Sequence, residues 1–565
     1  MALAETISRK IHKLGLVPKL IKLLPIVSIL LAISSISWIL ILPLNGNYRN
    51  TYISENALMP SQVTSFFRES EWNIVRGYRE EISKLENQSI EIRNNQLEKW
   101  VNDLGLVTAY HNNGKFNDTL YAIMHAPRGD DTEAMVLAIP WETSDNEYNE
   151  GGMALAIALS RYFSKMSIWS KNIIIVFVEN NQFPLRSWVE AYHTSLEETA
   201  GSIEAAIVLE YGKNGDYFDY YELIYEGLNG QLPNLDLLNT VNLIGYHEGL
   251  HCAIQDTPST ELVKDTYFTR LRTLIRGIIA LTLTGIKPGG GCEAFSGWQI
   301  QAFTIKARGT KGPHDVTQFG RLVDSTFRSV NNLLEKFHQS FFFYLMLSKN
   351  HFVSIGTYLP SAVLMAIAFT FSSLGTILIS GLEINSFISH SAKILTIFVI
   401  IEIICFILSL TLPLIKVDIS ILLIILSFIP LGLKSSSSSS FKLNKTTSFG
   451  LVALSLFFIS LLITALLIVH FSLALLLGLF TLPLTFLAQP KPKLKTIICL
   501  LISNPFFIIS IAGQDIFLGL VTSWHDLQCW TWFVVSLGWY SAWLGVAVGT
   551  LSGDFTVQDT TKKQQ

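Results

Sequence analysis

His247-Glu248-Gly249-Leu250-His251 has the H-E-x-x-H spacing of a zinc hydrolase helix. In such a helix two imidazoles four residues apart share one face and the Glu serves as base. The local context works against that chemistry. Gly245 precedes the motif and Gly249 interrupts it, and Gly costs a helix interior roughly 1 kcal/mol relative to Ala. The motif begins where the preceding helix is expected to end, and only Glu261 offers a third ligand, so we read it as a surface loop. The other reactive groups are equally unaided. Cys252 and Cys292 lie in no motif that marks a nucleophile, and neither a G-x-S-x-G elbow nor a P-loop occurs. The two could pair in an oxidising lumen, a point that spacing alone does not decide. The remaining cysteines, Cys405, Cys499 and Cys529, sit in apolar runs. Glu402 is the one acidic residue deep in such a run. A carboxylate there is costly and is a functional candidate by default, the alternative being a neutral Glu bonded to a neighbouring helix. No catalytic residue, metal ligand or cofactor is assigned.

The elements that must position these groups divide sharply by composition. Half of the 565 residues are hydrophobic and only 15% are charged, against roughly 25% in ordinary soluble domains. The charged residues crowd into 45–350, which predicts a soluble-type domain fused to a membrane region. A net charge of −3 gives no reason to expect a nucleic-acid partner. Leu23–Leu44 is uncharged and long enough to cross a hydrocarbon core of about 30 Å. It is too long for a signal-peptide core and reads as a retained signal anchor. Arg9, Lys10, Lys13, Lys19 and Lys22 precede it against Glu5 alone, which places residues 1–22 in the cytosol and 45–350 in the lumen.

Seven further apolar runs follow, at about 353–381, 394–415, 419–433, 449–469, 471–487, 496–513 and 530–551. With all seven spanning, residues 351–551 form an all-α membrane domain and the chain has eight spans. Lysines then concentrate in the cytosolic loops, as the positive-inside rule requires. The tail, 552–565, ends Lys562-Lys563-Gln564-Gln565 on the cytosolic side, the K-K-x-x form of a retrieval signal. Asn87 and Asn117 are glycosylation acceptors on the luminal side; Asn444 also matches but falls in a cytosolic loop.

Within 45–350, strands are expected at Thr119–Ala126, Met135–Trp141, Asn172–Glu179 and Ala205–Glu210. Helices are expected at Met153–Met166, Leu185–His193, Leu235–Ile244 and Phe268–Leu283, with Phe327–Leu347 as a helix leading into the second span. Buried-type strands alternating with helices predict an α/β domain with a mostly parallel sheet.

The run from Met135 to Glu179 resembles the zinc aminopeptidase-like fold, in which His-x-Asp, a bridging Asp and a Glu pair follow successive strands. Here the first strand ends Ile139-Pro140-Trp141-Glu142, with Pro in the His position. The next turn reads Tyr148-Asn149-Glu150-Gly151-Gly152, with Tyr in the Asp position. Pro, Trp and Tyr cannot replace carboxylate and imidazole ligands. Glu142, Glu150 and Glu179 could retain one weak site, but a metal-free scaffold is the expectation.

Three longer segments are similar to another family: Thr51–Ala57, Tyr225–Asn239, and His338–Tyr344 followed by Phe352–Gly356. In that order, around one luminal domain and a set of spans, they resemble the GPI-anchor attachment subunits (the GAA family) of the GPI transamidase complex. The resemblance covers nearly the whole chain. It implies a subunit in the ER membrane, partnered by a caspase-like catalytic subunit. That complex exchanges a proprotein's C-terminal signal for a GPI lipid. The implied role is non-catalytic, binding the lipid and presenting it. The alternative is a metal-dependent hydrolase or peptide-bond synthetase acting through the luminal domain, and a transporter is disfavoured for want of paired repeats.

Position along the chain suggests where a lipid headgroup would be held. Tyr52, Ser54, Glu55 and Asn56 follow the first span by about a dozen residues, within reach of the headgroup layer. His338, Gln339 and Ser340 precede the second by a similar interval, beside Phe341, Phe342, Phe343 and Tyr344. Such aromatics favour the membrane interface, and hydroxyl and amide groups suit sugars and phosphate. The family's lipid contacts, as the resemblance implies them, fall in these segments, with Tyr52, Ser54, Gln339 and Ser340 foremost.

Overall fold

The computed structural model describes residues 16–213, 215–415, 419–432, 443–488 and 493–552. The chain divides into two compact units, Leu42–Ile355 and the combination of Met1–Ile41 with Gly356–Gln565. The strands of the first unit are β1 (Arg49–Asn50), β2 (Val107–His111), β3 (Thr119–Met124), β4 (Glu133–Glu142), β5 (Asn172–Asn180), β6 (Ser202–Glu210), β7 (Tyr217–Phe218), β8 (Tyr220–Ile224), β9 (Cys252–Ile254), β10 (Gln301–Arg308), β11 (His314–Asp315), β12 (Tyr344–Ser348) and β13 (His351–Ser354). Its helices are α1 (Glu69–Ser83), α2 (Ile90–Asp103), α3 (Glu150–Ser164), α4 (Phe183–Thr194), α5 (Leu235–His247), α6 (Tyr267–Leu283) and α7 (Val316–Asn331).

Eight strands form the main sheet in the order β2-β3-β5-β4-β6-β10-β8-β9. The centre, β5-β4-β6-β10, is parallel, and β2, β3 and β8 join antiparallel. Residues of β4 alternate between two cores. Met135, Leu137 and Ile139 pack with α3 and α7, while Ala134, Val136 and Ala138 pack with Leu185 and Trp188 of α4. That period of two, buried on both faces, explains the uninterrupted apolar runs. The chain leaves β4 for β5 on one side and reaches β6 on the other. The strand order therefore reverses at β4, and the carboxyl ends there are where open α/β sheets place a crevice.

The α/β expectation holds, and every strand and helix anticipated between Thr119 and Leu283 is present within a few residues. One element is different. Phe327–Leu347 is not one helix: α7 ends at Asn331, and Tyr344–Ser348 is a strand paired with β13. The break has a cause. Asn331 turns its side chain onto the backbone N–H groups of Ser170 (2.9 Å) and Lys171 (3.2 Å). Further on, Tyr344–Leu347 is buried at every position and runs into the Lys349-Asn350 turn that leads to β13.

Among the described residues of the second unit five helices are long and apolar enough to cross a membrane: Leu23–Ile41, Ile355–Ile379, Ile384–Leu414, Lys445–Val469 and Thr531–Leu551. A bent pair, Leu494–Ile502 with Pro505–Ala512 at 61°, makes a sixth if it counts as one. Among the described residues the number is thus five to six, and the eight expected are not clearly present. Asn504 caps the second helix of the pair with Pro505 at its first turn, which forces the break. Phe471–Leu487 is a shorter apolar helix. Ser420–Gly432 has 13 residues, or about 20 Å at 1.5 Å per residue, against about 30 Å of hydrocarbon. Hydroxyls tie the long helices together: Ser373 donates to the Ala453 carbonyl and Ser460 to that of Ala366, both at 2.7 Å, as expected where apolar helices meet in lipid.

Candidate functional site

The segments singled out as lipid-facing meet at the start of α5. Asn234 caps that helix by accepting the N–H of Asp236 at 2.9 Å. Asp236, only 1% exposed, points back out. Its carboxylate accepts the N–H of Ser54 at 3.0 and 3.1 Å and that of Glu55 at 2.8 Å. Asn239, one turn on, donates to the Tyr52 carbonyl at 2.7 Å. On its other side the helix start holds the second segment. Leu235 N–H donates to the Phe341 carbonyl at 2.9 Å, and the Tyr344 hydroxyl to the Pro233 carbonyl at 2.8 Å. A small sheet, β1-β13-β12, closes the arrangement, pairing Arg49 with Phe352. Tyr52–Asn56 and His338–Tyr344, far apart in sequence, are thereby anchored on one helix turn inside Tyr225–Asn239.

The side chains themselves are distributed unevenly. Tyr52 is 48% exposed, and Asn56, His338 and Gln339 are also exposed, while Ser54, Glu55 and Ser340 are half-buried. The Ser340 hydroxyl is enclosed without a hydrogen-bond partner. His338 turns back to the Lys336 carbonyl at 2.8 Å. None of the described hydrogen bonds joins Tyr52 or Ser54 to Gln339 or Ser340; the helix gathers them. The expected aromatic belt is only partial. Tyr344 is fully buried and Phe341 packs on Phe352 at 5.4 Å, leaving Phe343 exposed. Asp236, which organises the cluster, is not among the residues that sequence reasoning singles out. The usable signal is Asn234 before an apolar-periodic run, an N-cap whose neighbours must face the first turn.

A second polar centre lies at the carboxyl ends of β4, β6 and β10. Tyr148 stacks on Trp141 at 5.9 Å and donates to the Ile82 carbonyl. Asn149, fully buried, donates to the carbonyls of Pro140 and Leu209 and accepts the N–H of Tyr211, clamping β4 to β6. Glu210, 0% exposed, accepts from Ser144 and from Asn181, and pairs with Lys306 at 2.9 Å. Lys306, 5% exposed on its side chain, also meets Asp145 at 2.8 Å, and Arg308 bridges Asp145 and Glu222. Burial alone would raise Asp145, but Lys306 and Arg308 hold it below the usual carboxylate range. Glu150 is half-buried and raised by that burial. Glu142 is exposed. An ammonium and a guanidinium thus neutralise carboxylates at these strand ends, and among the described residues no group of three or more His, Cys, Asp or Glu is arranged to hold a metal ion. The residues present do not fit an aminopeptidase metal pair.

The H-E-x-x-H motif is split by the helix end. His247 is the last residue of α5, Glu248 caps it and bonds Arg321, and Gly249 takes φ +72°. His251 lies beyond that turn, its Nδ1 3.5 Å from His314 Nε2. Cys252 and Cys292 are both free and buried. Burial pushes the Cys252 thiol up to about 11 and Cys292 well above the ordinary value, opposite to the shift of an activated nucleophile. Glu402 lies half-buried in Ile384–Thr411, its Oε1 enclosed without a hydrogen-bond partner. Asn87 and Asn117 are exposed. Lys562 and Lys563 lie outside the described residues.

These features define a class: an integral membrane protein with one α/β domain whose strand-end crevice is lined by ion pairs. The family model described as Gaa1-like, GPI transamidase component, matches residues 116–547, and the chain belongs to that family. It is 43% identical to the GPI transamidase component GAA1 of Saccharomyces cerevisiae, over 100% of both chains. With GPI transamidase component gaa1 of Schizosaccharomyces pombe it shares 34% identity over 60% of this chain and 62% of that one. Among solved structures, Porphyromonas gingivalis glutaminyl cyclase matches 47% of this chain and 98% of its own at 11% identity, with a TM-score of 0.27. As a GPI transamidase component with at least five membrane-length helices among its described residues, the protein belongs to the ER membrane and to a multi-subunit complex.

Proposed function

We propose that this chain is a non-catalytic subunit that binds the GPI lipid and presents it to a separate caspase-like catalytic subunit, which joins it to the new C-terminus of a proprotein. The observation that carries this reading is the common anchoring of Tyr52–Asn56 and His338–Tyr344 on the first turn of α5. Both segments lie a short stretch of chain from an apolar helix. A rigid helix start fixes the spacing of their hydroxyl and amide groups, as a headgroup site requires. Tyr52 and Gln339 are exposed, with half-buried Ser54 and Ser340 beside them in sequence and Glu55, Asn56 and His338 flanking. The buried, unactivated thiols support leaving the acyl-transfer chemistry to a partner. The luminal unit is read as an aminopeptidase-like scaffold without its metal ligands.

In this reading residues 45–350 face the lumen and both termini face the cytosol. Asn87 and Asn117 carry glycans, Lys562-Lys563 serves retrieval, and Glu402 supports contact with a neighbouring subunit or lipid. The test is purification of the tagged chain in mild detergent. A caspase-like subunit should accompany it, and Y52A with Q339A should lower retained GPI lipid while the partners stay bound. Unchanged lipid, or loss of partners along with it, would sink the assignment.

A further inference from the structure

Beside the Lys306–Glu210 pair a cleft of about 420 Å³ opens between β8, α6 and the Lys287–Glu293 loop. Its volume is in the range of small-molecule sites. Most of its charged groups are already committed: Glu222 to Arg308, and Glu226 to Gln255 and the Tyr225 N–H. Glu293 is held differently. It is 2% exposed, and its Oε2 accepts the N–H of Gly291 at 2.7 Å. The carboxylate lines the cleft and makes none of the described ion pairs. The carboxylate fits there because residue 289 is Gly; a Cβ at that position would lie 2.2 Å from Oε1. Burial, reinforced by Glu210 and Glu226, pushes the Glu293 carboxyl up to about 7.

The cleft's other wall has the opposite character. Lys287 is exposed and makes none of the described ion pairs, and Arg276 uses one nitrogen on the Gln255 and Asp256 carbonyls. A carboxyl on the floor with cations on the wall suits a small bipolar ligand. We propose that this cleft binds a primary ammonium group held a few atoms from an anionic group, with Glu293 as counter-ion to the ammonium and Lys287 and Arg276 receiving the anion. An ionised Glu293 paired with an ammonium in this buried position forms a charge-assisted bond, which neither group forms when the cleft is empty. The site is separate from Tyr52 and Gln339 and does not depend on the lipid contacts proposed there.

The chemistry has two sources, an aminoalkyl phosphate and a free amino acid. Calorimetric titration of the full-length chain in detergent with O-phosphoethanolamine and with glycine tells them apart by which binds more tightly. Ethanolamine alone and inorganic phosphate alone are expected to bind at least about tenfold more weakly than the better bipolar probe. Glu293→Gln, nearly isosteric, should weaken the better probe about tenfold, and the surface change Lys287→Ala about threefold. The Y52A/Q339A chain should bind it unchanged, so failure here and failure of the lipid-headgroup reading are separable. The proposal is overturned if neither bipolar probe binds, if E293Q binds as well as wild type while folded by its thermal transition, or if phosphate alone binds as tightly.

Discussion

The two polar centres of the α/β unit bury carboxylates in opposite ways. At the strand ends, Glu210 is matched by a side-chain cation, Lys306, and by a further chain of ion pairs through Asp145 and Arg308. At the start of α5, Asp236 meets no cation among the described ion pairs and is satisfied by backbone N–H groups of Ser54 and Glu55. The first arrangement fixes charge; the second fixes the path of the chain. A charge network stiffens one crevice and lets its neighbours vary. A carboxylate bound to backbone N–H groups places residues outside its own element, here the segment carrying Tyr52. That difference explains why the strand-end centre suits a small charged ligand and the α5 centre suits positioning of exposed side chains.

The sharpest way to break this contrast is Lys306→Met. It leaves Glu210, 0% exposed, without its cation. Removing one partner of a buried pair costs about 3–5 kcal/mol, and thermal unfolding of the detergent-solubilised chain should record a large fall in Tm. Adding Glu210→Gln should recover part of it, since the orphaned charge is then gone. If the double variant is no better than the single, charge matching is not what holds the strand ends.

Glu293 gives a pH-dependent test of the same centre. Burial raises its carboxyl from 4.5 to about 7. The folded state therefore holds this proton more tightly than the unfolded chain does. The resulting stabilisation is complete below the unfolded value, near pH 4.5, and is lost as pH rises through about 7. A shift of that size is worth about 3 kcal/mol. Wild-type Tm should decline over that interval more steeply than the Tm of E293Q, which has no proton to lose. Parallel profiles would mean that the Glu293 carboxyl is not protonated in the folded chain.

Asp236→Ala probes the other centre with a smaller expected cost, about 2 kcal/mol for orphaning backbone donors in a half-buried site. Its local consequence matters more. Amide exchange should accelerate at Thr51–Asn56 and leave β4 and β5 protected, and GPI lipid retention should fall without touching Tyr52 itself. Unaltered exchange at Thr51–Asn56 would show that the segment is held by β1–β13 pairing instead.

The central layers are legible in the sequence because they obey simple periods. Asn172–Asn180 and Ser202–Glu210 are apolar on both faces, and α3 and α4 follow helical spacing around them. Legibility fails where long-range partners decide. Gln301–Arg308 mixes Lys306 and Arg308 into a buried strand, and those charges become readable only when Glu210, Asp145 and Glu222 are placed opposite them. Tyr344 reads as an interfacial aromatic because nothing local reveals that its hydroxyl reaches Pro233. Among the described residues five to six helices reach membrane length where eight spans are expected, because hydropathy measures apolarity, whereas Asn504-Pro505 and the 13-residue Ser420–Gly432 limit how far each helix runs. The proposed headgroup residues follow from position along the chain, and the hub at Asp236 stays hidden because its partners are backbone atoms.

The smallest expected effect belongs to the motif that most resembles catalysis. His251 is exposed, and α5 ends at His247, so the two imidazoles do not share a helix face. His314 stands 3.5 Å from His251, and burial together with the nearby His251 holds His314 below the ordinary imidazole value. Two imidazoles without a carboxylate completing the set make a weak metal site at best. Replacing both His247 and His251 by Ala should change stability by less than about 0.5 kcal/mol and leave complex assembly and GPI transfer intact. Zinc measured in the purified chain should be unaltered by the change. Stoichiometric zinc that disappears with these two residues, together with lost transfer activity, would move the chemistry into this chain and reverse the roles assigned to its two polar centres.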